Sequence, residues 1–115
     1  MNLGSLEERQ KRKNEIKLVT TALNEIKVKE DEILRILMKV CDIGQKEAMN
    51  ALQNEKFMLS PCRELYHYLI MEKGFDAYDA DVFVHKYART ALAGNSELSK
   101  LTSAKLFEAI RKTNN

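Results

Sequence analysis

Ile16, Val19, Leu23, Ile26, Ile33, Leu37 and Val40 recur on an alternating three-four spacing broken only by Glu30. That is an a/d seam over about three and a half heptads, and a seam of this kind shares one side only when the backbone is helical. The stretch predicts one long helix, or two separated near Lys27–Glu30, since Thr20, Thr21 and Val28 are weak helix formers. Ahead of the seam there is no apolar side chain between Leu6 and Ile16. Residues 6–15 therefore have nothing to bury and are solvated, frayed or engaged through charge. Residues 1–5 read as a loose end, with Ser5 as N-cap and Glu7 and Glu8 at the positive end of the helix dipole.

The remainder of the chain carries the same helical signature. Four glycines and one proline in 115 residues leave too few breaks for a many-turned β-sandwich or barrel. Asp42-Ile43-Gly44 reads as a tight turn, followed by a short helix over 45–54 with Ala48, Met49 and Leu52 inward. Ser60-Pro61 predicts a helix start that runs through Leu65, Tyr66, Leu69 and Ile70 to Gly74 at the C′ position. Asp76 then caps a helix whose inward stripe is Ala80, Phe83, Val84, Tyr87 and Ala91, with Phe75 as its staple. Helical material over 96–112, broken at Thr102, turns Leu106, Phe107 and Ile110 inward. The fold class expected is all-α: about five helices, with a long N-terminal amphipathic helix able to form a coiled coil packed on a small helical bundle. A single domain over residues 6–112 is expected, with residues 113–115 as a loose C-terminus.

Composition narrows the function classes. With 44% hydrophobic and 31% charged residues the chain is able to bury a core, and 7% aromatics with no Trp leave that core to aliphatic side chains. No apolar run is long enough for a membrane span or a secretory leader. Nineteen basic and seventeen acidic residues give a net charge of +2, which attracts neither nucleic acid nor membrane in bulk. Cys41 and Cys62 are too few for a disulfide framework, and with His67 and His85 they match no metal-ligand spacing. A reducing, cytoplasmic setting with inert core thiols is expected.

Catalysis requires a reactive group and something to activate it. No glycine-rich phosphate loop, G-x-S-x-G elbow or H-E-x-x-H occurs, and His67 and His85 read as surface residues. No catalytic residue, cofactor, metal or small-molecule substrate is expected. Glu72, Asp76, Asp79 and Asp81 form an acidic cluster without calcium-loop spacing. It reads as a solvated helix start, or as a docking face for a basic partner.

Residues 34–54 carry apolar Leu37 and Cys41, a turn at 42–44, then Gln45 opening a helix with Ala48 and Leu52 inward. This segment resembles the helix-turn-helix family of DNA-binding proteins. It departs from that family by placing Asp42 where a glycine is usual and Met38 where a small residue is usual. The resemblance implies that the second helix enters the major groove, with Gln45, Lys46, Met49, Asn50 and Gln53 at base edges. Basic residues at both ends of the chain, Arg9, Lys11, Arg12, Lys13 and Lys17 together with Lys100, Lys105, Arg111 and Lys112, would meet phosphate. A fainter similarity to ubiquitin-associated three-helix domains lacks their Met-Gly-Phe-type loop.

Two functions follow as expectations. The first is a non-enzymatic helical regulator, of adaptor or inhibitor type, that binds a protein partner or itself. It would form a homodimer through the seam of Ile16, Val19, Leu23, Ile26 and Ile33. The alternative is a DNA-binding transcriptional regulator that uses Arg9, Lys11, Arg12, Lys13, Gln45, Lys46, Asn50 and Gln53.

Overall fold

The structure, a computed structural model, describes residues 3–113. It is 85% helical, in five continuous stretches with no strand among the described residues. The first two stretches are α1 (Leu3–Glu25) and α2 (Glu30–Val40). The third comprises α3 (Gln45–Asn54), a π turn (Glu55–Leu59) and α4 (Ser60–Met71). The fourth comprises α5 (Ala77–Phe83), a second π turn (Val84–Ala88) and α6 (Arg89–Gly94). A 3₁₀ turn (Ser96–Lys100) precedes α7 (Ser103–Thr113). The sequence reading treats 6–112 as one domain, whereas the contacts group into two compact units, one up to Glu55 and one from Lys56.

In the first unit the seam belongs to two helices. Lys27 takes a left-handed backbone (φ 61°), the Lys27 N–H reaches the Asn24 carbonyl at 3.0 Å, and the Val28 N–H reaches that of Leu23 at 3.1 Å. This pair of bonds is a Schellman ending with lysine at the position glycine normally holds. A left-handed lysine costs about 1 kcal/mol that glycine would not. We expect Lys27→Gly to raise stability by about 1 kcal/mol, and Lys27→Ala to leave it unchanged, in urea denaturation. α1 begins at Leu3, ahead of Ser5, so Ser5 does not cap it. Residues 6–15 are helical and fully exposed. Their Glu, Arg, Gln and Lys side chains favour helix without needing a buried face. Of the expected loose ends at residues 1–5 and 113–115, residues 3–5 and Thr113 are helical, and residues 1–2 and 114–115 lie outside the described residues.

The core of this unit is Ile16, Ile33, Leu37, Ile43, Ala48 and Leu52, with Val19, Leu23, Leu34 and Met38 packed against it. It also holds polar groups. Thr20, 1% exposed, returns its hydroxyl to the Ile16 carbonyl at 2.6 Å. Glu55, 0% exposed, accepts from Thr21 Oγ1 at 2.9 Å and from Asn24 Nδ2 at 2.7 Å, which ties the end of α3 to α1.

In the second unit, Ser60-Pro61 does not start a helix. The preceding Leu59 is already helical (φ −68°, ψ −46°), and no side chain caps α4. A proline inside a helix removes one bond and crowds the carbonyl four residues back. The wider i→i+5 turn over 55–59 takes up that ring without ending the helix. The second π turn has a similar consequence, since Ala80, Val84, Ala88 and Leu92 are buried at intervals of four. Phe83, Tyr87 and Ala91, from the expected stripe, are only partly buried against the same core. Gly74 is left-handed (φ 71°), and Asp76 caps α5 by accepting from the Asp79 N–H at 2.7 Å. Leu106, Phe107 and Ile110 of α7 face inward.

Candidate nucleic-acid interface

The turn joining α2 to α3 is built by three residues with different tasks. Asp42 adopts φ 53°, the left-handed bend for which aspartate, unlike most side chains, is suited. Ile43 is 8% exposed and joins the core, which pins the turn against the helices. Gly44 is extended at the N-terminus of α3, which has no side-chain cap. The glycine usual in the helix-turn-helix turn is thus replaced by a residue that adopts the required backbone. Met38, in place of the usual small residue, is half-buried at the edge of the core rather than at its centre.

α3 divides cleanly. Ala48 and Leu52 are buried, while Gln45, Lys46, Met49, Asn50 and Gln53 are exposed. At about 100° per residue these five fall within an arc of about 140°, and the exposed Asn54 and Glu47 continue the same outward face about 40° and 60° beyond Asn50. Amides outnumber the one exposed carboxylate, Glu47, on this face, and side-chain amides are groups that pair with adenine in the major groove.

α1 reaches this turn directly. Arg12 Nη2 donates to the Asp42 carbonyl at 2.7 Å and to the Cys41 carbonyl at 3.3 Å. Its guanidinium therefore closes the end of α2 and holds the basic first half of α1 beside the start of α3. Around the helix Arg9 lies about 60° and Lys13 about 100° to one side of Arg12, and Lys11 lies about 100° to the other, the side that faces the turn. Lys11 and Arg12 line one cleft with Val40, Cys41 and Asp42 at the turn that opens α3, and Glu8 and Glu15 share it, whereas Arg9 and Lys13 lie outside that cleft.

The expected dimer seam is placed differently. Ile16 and Ile33 are buried, and Val19 and Leu23 pack on the same core. Ile26, at 72%, is well exposed, as is Val40 at the far end of the heptad pattern, at 67%. The exposed apolar residue of α1 that the spacing did not single out is Leu18, at 70%.

The other chemical candidates are also located. Burial pushes the thiols of both Cys62 and Cys41 up, with Glu15 adding to the effect at Cys41, so both favour the protonated, unreactive form. His67 is exposed and edge-on to Tyr66, with ring centroids 5.5 Å apart. His85 Nδ1 lies 3.0 Å from the Asp81 carbonyl and 3.3 Å from its carboxylate on an open surface. Among the described residues no three His, Cys, Asp or Glu side chains converge as a metal site would require. Nor is any described helix long and apolar enough to cross a membrane. No family model, no curated protein and no solved structure matches this chain.

Proposed function

We propose that the chain is a non-enzymatic regulator that binds duplex DNA through the helix-turn-helix of its first unit. The observation that carries this reading is the Arg12 clamp on the Cys41 and Asp42 carbonyls. It sets the basic start of α1 beside a helix whose exposed arc is Gln45, Lys46, Met49, Asn50 and Gln53. In this arrangement α3 enters the major groove, and its uncapped N-terminal amides add favourable dipole at the phosphates. Arg9, Lys11 and Lys46 neutralise phosphate, while Arg12 positions the turn.

Three phosphate contacts give a predictable salt response. The association constant falls by about 40-fold between about 50 and 200 mM salt, from a log-log slope of about −2.7. Fluorescence anisotropy with a mixed-sequence duplex measures this. Combining Arg9→Ala with Lys11→Ala should flatten the slope by about two. A chain that leaves duplex DNA unbound at the lower salt overturns the reading.

A second reading rests on Leu18 and Ile26, which leave α1 with apolar side chains 70% and 72% exposed. These suit a protein partner or a second copy of the chain. Light scattering tests self-association. Because both residues lie outside the core, replacing them with Asp should return a dimer to monomer at unchanged melting temperature.

A further inference from the structure

Resting on the DNA-binding reading, we propose that α3 prefers A·T base pairs, which it reads through side-chain amides and one apolar contact. The argument is the inventory of the exposed arc. Gln45, Asn50 and Gln53 each present a donor and an acceptor from one amide, the pair that matches adenine N6 and N7 in the major groove. Met49, 41% exposed between them, offers the apolar surface that meets a thymine methyl.

Readers of G·C pairs are scarce on the same arc. α3 contains no arginine, the side chain that pairs bidentately with guanine, and Lys46 is its one cation. A carboxylate is needed to accept from the cytosine amine. Glu47, exposed at the edge of this face, is the one carboxylate available for it, since Glu55, at the end of the helix, is 0% exposed and engaged by Thr21 and Asn24. Three amides and a thioether therefore address A·T pairs, against one ammonium for guanine and one carboxylate for cytosine. From Gln45 to Gln53 the helix advances about 12 Å, the length of three to four base pairs at about 3.4 Å each.

Selection from duplexes randomised over a central block, with the full chain as bait, tests this. The retained pool should be enriched in A·T over a run of about three to four pairs. The best sequence should bind at least about tenfold tighter than a G·C-only duplex of equal length, since one good bidentate contact is worth about that much. Substituting uracil for thymine should weaken binding several-fold in the parent and not in Met49→Ala. Combining Gln45→Ala, Asn50→Ala and Gln53→Ala, all at exposed positions, should lose most of the preference while keeping the parent's salt slope, because phosphate contacts carry no sequence information. Retention of DNA with no enrichment, enrichment in G·C, or a preference that survives the triple alanine variant would each overturn A·T readout by α3 and leave DNA binding standing. If no duplex is retained at any salt, the DNA-binding reading itself fails.

Discussion

Phe107→Ala is expected to destabilise the second unit by about 3–5 kcal/mol, the cost of emptying a buried aromatic site that cannot fully collapse. Phe107 is 5% exposed and stands at the centre of an aromatic group. Its ring centroid lies 5.4 Å from that of Phe83, 6.2 Å from Phe75 and 6.3 Å from Tyr68. Lys73 Nζ and the Arg111 guanidinium sit 5.5 Å and 5.6 Å from the same centroid. Truncation to alanine removes the partner of all five at once, so the loss exceeds the transfer free energy of one side chain. Phe107→Leu keeps most of the volume and should cost far less. Urea denaturation followed by circular dichroism measures both. A loss below about 1 kcal/mol for the alanine variant would show that the ring is not the keystone of this core.

Glu55→Ala is expected to cost about 2–4 kcal/mol, for a different reason. The carboxylate is 0% exposed and receives the Thr21 hydroxyl and the Asn24 amide. Removing it takes the acceptor from two part-buried donors, and each unsatisfied buried group costs about 1–3 kcal/mol. Glu55→Gln retains one acceptor oxygen and should lose about half as much. Combining Glu55→Leu with Thr21→Val and Asn24→Leu should recover much of the stability, because apolar replacement of both sides leaves no orphan. If the single alanine variant is as stable as the parent, the contact between α1 and the end of α3 contributes no net stability.

The clamp made by Arg12 and the node made by Glu55 hold α1 to α3 at different places. Arg12 acts at the start of α3 through two carbonyls, and Glu55 acts at its end through a carboxylate. In the DNA-binding reading, this fixes the angle of α3 from both ends. Sub-ångström placement of a reading helix matters because bidentate base contacts tolerate little misalignment.

Much was legible in the residues alone because it is local. Asp76 capping α5, Gly74 in the left-handed region and the turn at 42–44 are short-range chemistry, decided within four residues. The inward sets Leu65 with Leu69 and Leu106 with Phe107 and Ile110 follow from helical periodicity, and all five are buried. The exposed amides of α3 were readable for the same reason, since Ala48 and Leu52 leave the opposite side outward.

What only the tertiary structure decided lies where local rules compete. The seam through Ile26 obeys the heptad pattern, yet the chain breaks at Lys27, because Val28 and Leu23 pack on the core once the backbone turns left-handed. Pro61 carries the mark of a helix start, yet the helix runs through it, because a π turn ahead of the ring removes the clash that would have stopped it. Glu55 reads as one more surface charge, and its burial depends on Thr21 and Asn24, residues 34 and 31 positions away. Arg12 likewise reads as part of a basic run, and its positioning role exists only because two carbonyls 29 and 30 residues further on come within reach. Periodicity and capping are properties of neighbours along the chain, and so the residues determined the helices. The partners of a buried carboxylate or a guanidinium are neighbours in space, and only the packed fold supplies them.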